Sequence, residues 1–391
     1  MNIKNNDMEK NSFNNIIFIT LDGFRKDKVS FCPILENYMH NSIEFSNMTT
    51  VAPYTLAAHH AIFSGMYPSR NGVNAYYNMF RFKKNEIQTL PELLHKMEYY
   101  TSCDIINDIV IPTKGFDEVN IFDEKTVDFK SRHSQLIKKL SSKPKIFLFL
   151  HYTEPHKNYV VDIVQKYKDQ ENKDEYFLAR EENDARYTSY MPQLDDYVKI
   201  ILETIDECNL KQNTIVILQA DHGTGVGEKH GEMFYGVFAY DSTSNVFSMI
   251  HIPGFEPNQI SSQCQNIDFF PTIAEMISFP KENLDPRLQG KTLFPLIHEI
   301  EKTERPSFIE TGGLYGPWPS PKKHNVFAIR FNRKKLIFND TPKTWEYYDL
   351  DADPNEEKNL YDEENEEIKF LKSKLTVHLE ANHIQTNISQ R

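Results

Sequence analysis

The stretch N-I-I-F-I-T-L, residues Asn15–Leu21, is a nearly unbroken apolar run with the length of one β-strand. Such runs are typical of central parallel strands that are buried on both faces. Asp22-Gly23 follows directly and would lie at the carboxyl end of the strand. Open α/β sheets bind ligands outside these carboxyl ends, although Asp-Gly alone is also an ordinary turn pair.

Two further runs of the same kind are K-I-F-L-F-L at Lys145–Leu150 and T-I-V-I-L-Q at Thr214–Gln219. Each is followed by polar side chains of the metal-binding or anion-binding type. A parallel sheet gathers the ends of its strands at one edge. We therefore expect four such side chains to meet there: Asp22, His156, Asp221 and His222. Carboxylates and imidazoles together can bind a divalent metal ion.

A third feature is P-Y-T-L-A-A-H-H-A-I-F-S-G-M-Y, residues Pro53–Tyr67. It predicts a turn that feeds a short helix closed by Gly65. A hydroxyl at a helix N-terminus lies among unpaired backbone N–H groups, where negative charge is favoured. Alone, Thr55 would be interpreted as an N-cap residue. With metal-type side chains expected nearby, it becomes a candidate nucleophile.

The composition excludes several classes of partner. The chain has 391 residues, 39% of them hydrophobic, and a formal charge of −12, which argues against bulk binding of nucleic acid or an anionic membrane. No apolar run is long enough for a membrane span, and the polar N-terminus does not resemble a secretory signal. Four well-separated cysteines favour free thiols. We therefore expect a cytoplasmic protein, with the formation of a homo-oligomer left open.

The pattern of strands and helices predicts three regions. Residues 1–13 are expected to be a disordered tail, and 14–300 a catalytic α/β domain with a large, mostly parallel mixed sheet sandwiched by helices. Residues 301–391 are expected to form a smaller α+β unit with antiparallel strands, packed on that domain. The segments 74–86, 157–190 and 311–325 are expected to wall the pocket.

The segment after Asp221-His222 reads G-T-G-V-G-E-K-H-G and does not fit a phosphate-binding P-loop. It is predicted to be a loop that brings Lys229 and His230 towards the site. The strongly charged stretch 160–185 is predicted to be a solvated helix or loop, with a lid as the alternative.

These motifs, in this order, resemble the sulfatase-like branch of the alkaline phosphatase superfamily over roughly residues 15–365. The segment ending in S-G-M-Y-P-S-R-N-G-V looks like the nucleophile segment of the family, and counting back from Gly65 gives Thr55. The resemblance implies an alkaline phosphatase-like fold. It also implies that Asp22 and Asp221-His222 bind a metal ion and that His156 contacts substrate.

Several residues of this chain differ from the family pattern, and these differences limit the reaction mechanisms that the resemblance implies. Formylglycine sulfatases use Cys or Ser in a Cys/Ser-x-Pro-x-Arg motif, whereas this chain has Thr55, then Ala57, and His59 at the arginine position. Threonine cannot give formylglycine, but it is the nucleophile of superfamily phosphodiesterases and of some transferases. Gly23 stands where formylglycine sulfatases have a second aspartate. The second-metal pattern of two-metal phosphodiesterases is absent after His156.

The sequence and the resemblance together predict a metal-dependent hydrolase of phosphate esters that acts through a threonyl-phosphate intermediate. One divalent ion, with Mn²⁺ favoured over Ca²⁺ or Zn²⁺, would be held by four ligands: Asp22, Thr55, Asp221 and His222. His59 and His156 would bind the ester oxygens. Lys229 or His230 would protonate the leaving oxygen.

Three alternatives stay open. The first is a cytoplasmic transferase that passes a phospho-substituent to a sugar or polysaccharide. The second is a sulfuric-ester hydrolase that works without formylglycine, and the third is a non-catalytic binding protein. For the predicted hydrolase and for the first two alternatives, the substrate would be a small-molecule or saccharide ester.

Overall fold

The computed structural model describes residues 14–168, 174–314, 316–319 and 322–386. The predicted disordered tail at 1–13 lies outside these residues. The described residues form the following strands: β1 Asn15–Leu21, β2 Ile43–Phe45, β3 Met48–Thr49, β4 Tyr100–Ile105, β5 Glu118–Ile121, β6 Ile146–Tyr152, β7 Thr214–Gln219, β8 Ser248–His251, β9 Asn258–Ile260, β10 Cys264–Gln265, β11 Ser307–Thr311, β12 Val326–Phe331, β13 Lys334–Asn339 and β14 Thr344–Asp349.

The main sheet has eight strands in the order β5-β4-β6-β1-β7-β8-β2-β9. Its strands are parallel except for β8, which pairs antiparallel with both β7 and β2. Every residue of β1, β6 and β7 is buried, as expected for central strands covered on both faces. The predicted large, mostly parallel mixed sheet is confirmed.

Helices cover this sheet, and their bounds are Pro33–His40, Thr55–Ser64, Pro68–Asn71, Leu90–Lys96, Phe129–Leu140, Glu154–Tyr167, Asp174–Leu178, Arg180–Thr188, Met191–Glu207, Asp241–Ser244, Phe269–Met276 and Phe294–Ile297. The helix Thr55–Ser64 ends at Gly65, whose φ of 63° lies in the left-handed region that favours glycine. The charged stretch predicted to be a solvated helix or loop contributes helices where it is described.

A separate antiparallel sheet lies near the C-terminus in the order β11-β12-β13-β14. The helix Glu366–Ala381 packs on one of its faces, with Ile368, Leu371 and Leu375 against Phe327 and Leu336. Its other face contacts Val237 and Ala239 of the segment that follows the Asp221-His222 motif. None of the described helices is long and apolar enough to span a membrane.

Candidate active site

The strand register brings the two aspartates to one level at the edge where β1, β6 and β7 end, called here the carboxyl edge. Thr20 of β1 pairs with Gln219 of β7. Asp22 and Asp221 each follow two residues later, so both lie the same distance beyond the ends of their strands. This places two carboxylates side by side at the position where α/β sheets bind ligands.

Asp22, Asp221 and His222 form a buried group whose ligand atoms lie within 4.8 Å of one another. Asp22 Oδ1 and Asp221 Oδ2 have no hydrogen-bond partner within the described part of the chain. Buried carboxylate oxygens without donors are costly unless a cation neutralises them. The donor set therefore fits one divalent cation.

His222 is oriented as a ligand by its own backbone. Its Nδ1 lies 2.7 Å from the carbonyl oxygen of Gly223, so Nδ1–H donates there and Nε2 keeps its lone pair. Nε2 lies 3.6 Å from Asp22 Oδ1 and 3.6 Å from Asp221 Oδ2. The lone pair therefore points into the carboxylate pair. The Tyr235 ring stacks on the His222 imidazole with 4.4 Å between centroids.

Thr55 is the first residue of the helix Thr55–Ser64, and the N-cap position belongs to Tyr54. The Thr55 hydroxyl lies 3.1 Å from His222 Nε2 and 3.5 Å from Asp22 Oδ2. Tyr54 makes no side-chain cap bond. The N-cap interpretation of Thr55 is therefore wrong, since its hydroxyl faces the ligand group.

Gly23 explains why the second aspartate of formylglycine sulfatases is missing here. A Cβ at position 23 would lie 2.3 Å from His156 Nδ1 and 2.6 Å from Thr224 Oγ1, and φ is +61°. The Gly23 backbone N–H donates to Asp221 Oδ1 at 3.1 Å. The place of a third acidic side chain is thus filled by His156 and Thr224.

His156 lies in the first turn of the helix Glu154–Tyr167 and lines a cavity beside Thr55. Its Nδ1 lies 2.9 Å from Thr224 Oγ1, and its Nε2 lies 3.9 Å from Asp22 Oδ1. This position is compatible with the predicted contact to substrate.

His151 belongs to the same site and was missed as a site residue. Its Nε2–H donates to Asp22 Oδ2 at 2.8 Å, and it lines the cavity. Sequence reasoning ended β6 at Leu150, whereas the strand continues through Tyr152. The place of His151 at a strand end was the signal that could have identified it.

The pKa values of the carboxylates reflect this crowding. Burial alone would raise the pKa of Asp22, but His156, His151 and His222 hold the pKa of that carboxyl below its usual range. Burial raises the pKa of Asp221. Two neighbouring buried carboxylates cannot both stay charged without a compensating cation.

The position of His59 does not support the prediction that it binds the ester oxygens. It is fully buried beneath the site and does not line the cavity, because it lies on the inward face of the helix Thr55–Ser64. Its Nε2 lies 3.9 Å from Asp221 Oδ2, and its ring packs against His151 and Phe149. Burial lowers its pKa well below the ordinary value. The structure therefore places His59 behind Asp221, out of reach of an ester oxygen in the cavity.

The prediction that Lys229 or His230 protonates the leaving oxygen is not supported either, since neither residue reaches the Thr55 cavity. Lys229 Nζ donates to the backbone oxygen of Glu356 and lies over the Tyr240 ring, 4.3 Å from its centroid. His230 is exposed and pairs with Asp174 at 2.8 Å. Gly227 and Gly231, both with positive φ, lie on either side of this pair in the loop.

The cavity beside Thr55 has a volume of about 370 Å³. Segments from three parts of the chain wall it: 76–79, 106–110 and 156–161. The first and third overlap segments that were expected to wall the pocket, and 106–110 was not expected. None of the described residues within the predicted wall 311–325 lines this cavity. Lys157 is the only Lys or Arg among the described residues that line it.

Glu232 holds the loop that follows Asp221-His222. Its titration should make the free energy of unfolding depend on pH. Its Oε1 accepts the backbone N–H groups of Val237 and Phe238, both at 2.9 Å. Burial raises its pKa from 4.5 to about 7. The folded state therefore binds the proton more tightly than the unfolded state, and the free energy of unfolding falls as pH rises across this window. Glu232→Gln keeps the acceptor oxygen and removes the titration.

The wild type should lose up to ~3 kcal/mol of unfolding free energy as the pH rises from about 5 to about 8, and Glu232→Gln should not. The free energy of unfolding of the variant should therefore rise by that amount relative to the wild type over this pH range. Denaturant unfolding at both pH values measures this gain. The exposed Glu363→Gln is the control and should show no such change. A gain that is equal at the two pH values would contradict the raised pKa of Glu232.

A sequence model of the sulfatase family ("Sulfatase") matches residues 14–278, which is more than half of the chain. A second model, described as "N-sulphoglucosamine sulphohydrolase, C-terminal", matches residues 228–385. Fold and site define an alkaline phosphatase-like α/β class. Within that class, the chain belongs to the sulfatase family, and the resemblance noted in the sequence is confirmed.

Curated relatives match about half of the chain. Choline-sulfatase of Rhizobium meliloti is 27% identical over 190 residues, covering 47% of this chain and 35% of that protein. N-acetylglucosamine-6-O-sulfatase of Bacteroides thetaiotaomicron is 29% identical over 182 residues, covering 45% of this chain and 31% of that protein. The matched region thus spans about a third of the length of these relatives.

Solved structures match almost the whole chain. A structure described as a complex with its substrate D-glucosamine-2-N,6-O-disulfate has a TM-score of 0.76 at 17% identity, covering 96% of this chain and 99% of that one. A structure described as a 2-O GAG sulfatase has a TM-score of 0.75 at 19% identity, covering 94% and 92%. At these identities the likeness concerns the fold.

Proposed function

We propose that this chain is a metal-dependent ester hydrolase in which the Thr55 hydroxyl attacks the phosphorus of a phosphodiester. The observation that carries the proposal is the position of Thr55 Oγ1, which lies 3.1 Å from His222 Nε2 at the start of a helix. Backbone N–H groups at a helix N-terminus favour the negative charge that develops on a phosphoryl oxygen.

Asp22, Asp221 and His222 would hold the metal ion, for which Mn²⁺ is favoured and Ca²⁺ or Zn²⁺ are the alternatives. Such an ion would balance the carboxylate charges, lower the pKa of the Thr55 hydroxyl and polarise the ester. His151 fixes the orientation of Asp22 through its 2.8 Å hydrogen bond.

The attack forms a bond from Thr55 Oγ to phosphorus and breaks the bond from phosphorus to the leaving oxygen, which departs as an alcohol with the proton that the Thr55 hydroxyl gives up. Water then attacks the phosphorus of the threonyl-phosphate, which returns the hydroxyl to Thr55 and releases the phosphate monoester, so water is the only co-reactant. His156, which lines the cavity beside Asp22, would bind a non-bridging oxygen during both steps.

Threonine argues for phosphorus as the reacting centre. Oxidation of this secondary alcohol would give a ketone, so Thr55 cannot become the aldehyde on which formylglycine chemistry depends. A threonine alkoxide instead serves as a simple nucleophile. Lys157 is the only Lys or Arg among the described lining residues, and this low count of cations suits a singly charged phosphodiester better than a doubly charged monoester.

A sulfate ester is the second candidate substrate, because it also carries a single negative charge. It is favoured by membership of the sulfatase family and by the names of the relatives, which are choline-sulfatase and N-acetylglucosamine-6-O-sulfatase. With this substrate Thr55 would attack sulfur.

The test compares 4-nitrophenyl esters that differ only in the acid: a methyl phosphodiester, a phosphate monoester and a sulfate. The purified protein is assayed after reconstitution with Mn²⁺, Ca²⁺ or Zn²⁺. We expect the highest kcat/KM for the phosphodiester, by about 100-fold or more over the other two. Turnover of the sulfate alone would overturn the phosphodiester proposal in favour of the second candidate.

A further inference from the structure

The walls of the cavity beside Thr55 are mostly apolar. Ile106, Ile109 and Val110 form one side, and Val160 and Val161 of the helix Glu154–Tyr167 form another. These residues lie next to the site that would hold the reacting ester, because Thr55, Asp22 and His156 line the same cavity. They therefore face the part of the substrate that carries the ester.

Polar side chains are a minority of the described lining residues away from the ligand group and its histidines. Lys157 Nζ donates to the backbone oxygen of Glu124 at 2.6 Å. The phenols of Tyr76 and Tyr235 lie close enough to influence each other's pKa, which burial raises in both. Beyond the ligand group and its histidines, the described lining residues include no Arg for a second anionic substituent, and their polar side chains are Tyr76, Asn107, Glu124, Lys157 and Tyr235.

An apolar stripe continues outward from this cavity. Val161 is 55% exposed, and Val164, on the same helix, is 53% exposed. A sugar ring laid on this surface would give up water for hydroxyl groups that find few partners, which costs free energy. An apolar ring on the same surface would gain free energy by covering the valines.

We propose that the ester bound in this cavity carries one anionic group and an apolar leaving alcohol, aryl or carbocyclic, in place of a sulfated or phosphorylated sugar. The inference rests on the proposed function for the location of the reacting group. It departs from the disulfated sugar named for one structural neighbour. The apolar walls at 106–110 and 160–161 would hold the leaving group while Thr55 attacks.

The test uses two alcohols of matched ring size, both primary, so that the leaving groups differ in polarity and little in acidity. Cyclohexylmethyl and glucose-6-yl esters are prepared as methyl phosphodiesters and as sulfates. Their dissociation constants are measured by calorimetry on the Mn²⁺-loaded Thr55→Ala variant, where turnover does not interfere. We expect the cyclohexylmethyl ester to bind about 50-fold more tightly.

Two variants with matched substitutions locate the effect. Val161→Asn places a polar group on the cavity wall, whereas Val377→Asn makes the same change at an exposed position of the helix Glu366–Ala381. On the Thr55→Ala background, Val161→Asn should lower the preference for the cyclohexylmethyl ester about fivefold, and Val377→Asn should leave it unchanged.

Equal or tighter binding of the glucose ester, no measurable binding of the cyclohexylmethyl ester, or an equal effect of the two valine variants would overturn the inference. Failure of the proposed function gives a different result. In that case the wild-type protein would bind the cyclohexylmethyl ester but turn over neither its phosphodiester nor its sulfate.

Discussion

Thr55→Ala is expected to lower kcat for the phosphodiester by about 10⁴-fold or more, because it removes the attacking atom. The fold should survive, since Thr55 is partly exposed and alanine is a good helix former. The three side chains expected to hold the metal ion remain in place, so metal content after reconstitution should fall by far less than activity. Steady-state kinetics and metal analysis on the same sample measure both quantities.

Thr55→Ser is the matched control, because it keeps a hydroxyl at the same helix position and removes only the methyl group. We expect it to retain activity within about 100-fold of the wild type. If Thr55→Ala turned over the phosphodiester as fast as Thr55→Ser, water or another group would be the nucleophile, and the assignment of Thr55 would fail.

The second large effect is expected for Asp221→Asn. Asp221 Oδ1 accepts the backbone N–H groups of Gly23 at 3.1 Å and His222 at 3.0 Å, and an asparagine oxygen can keep both bonds. The unpartnered Oδ2 is replaced by an amide nitrogen, which cannot bind a cation. The variant should therefore fold but lose the stabilisation that the metal ion provides, about 4 kcal/mol when the ion is at ~1,000 times its Kd.

Thermal unfolding with and without Mn²⁺, together with metal analysis, measures this loss. Asp268→Asn is the control, because Asp268 is also buried but accepts the backbone N–H groups of Gln265 and Lys291 outside the site. It should lower stability and keep the response to Mn²⁺. An undiminished response in Asp221→Asn would show that the ion binds elsewhere.

The central strands could be predicted because burial on both faces leaves a nearly continuous apolar run in the sequence. β1 and β7 were predicted at Asn15–Leu21 and Thr214–Gln219, and the structure has them at those bounds. Once these strands are parallel, the meeting of Asp22 with Asp221 follows from their register. This part of the site was therefore open to sequence reasoning.

The positions that sequence reasoning misplaced or did not identify depend on contacts that no periodicity records. Lys229 is held away from the site by Glu356 and by the Tyr240 ring, which come from distant segments. His59 lies at a helix position whose facing depends on how that helix docks on Phe149 and His151. Loops such as 106–110 carry no pattern that places them beside Thr55.

The central claim is that Thr55 forms a covalent bond to phosphorus, and the stereochemical course of hydrolysis tests it most directly. A phosphorothioate diester of known configuration is hydrolysed in isotopically labelled water, and the configuration of the product at phosphorus is determined. Two successive in-line displacements, first by Thr55 and then by water, predict net retention. Net inversion would mean a single displacement by water and would contradict the threonyl-phosphate intermediate.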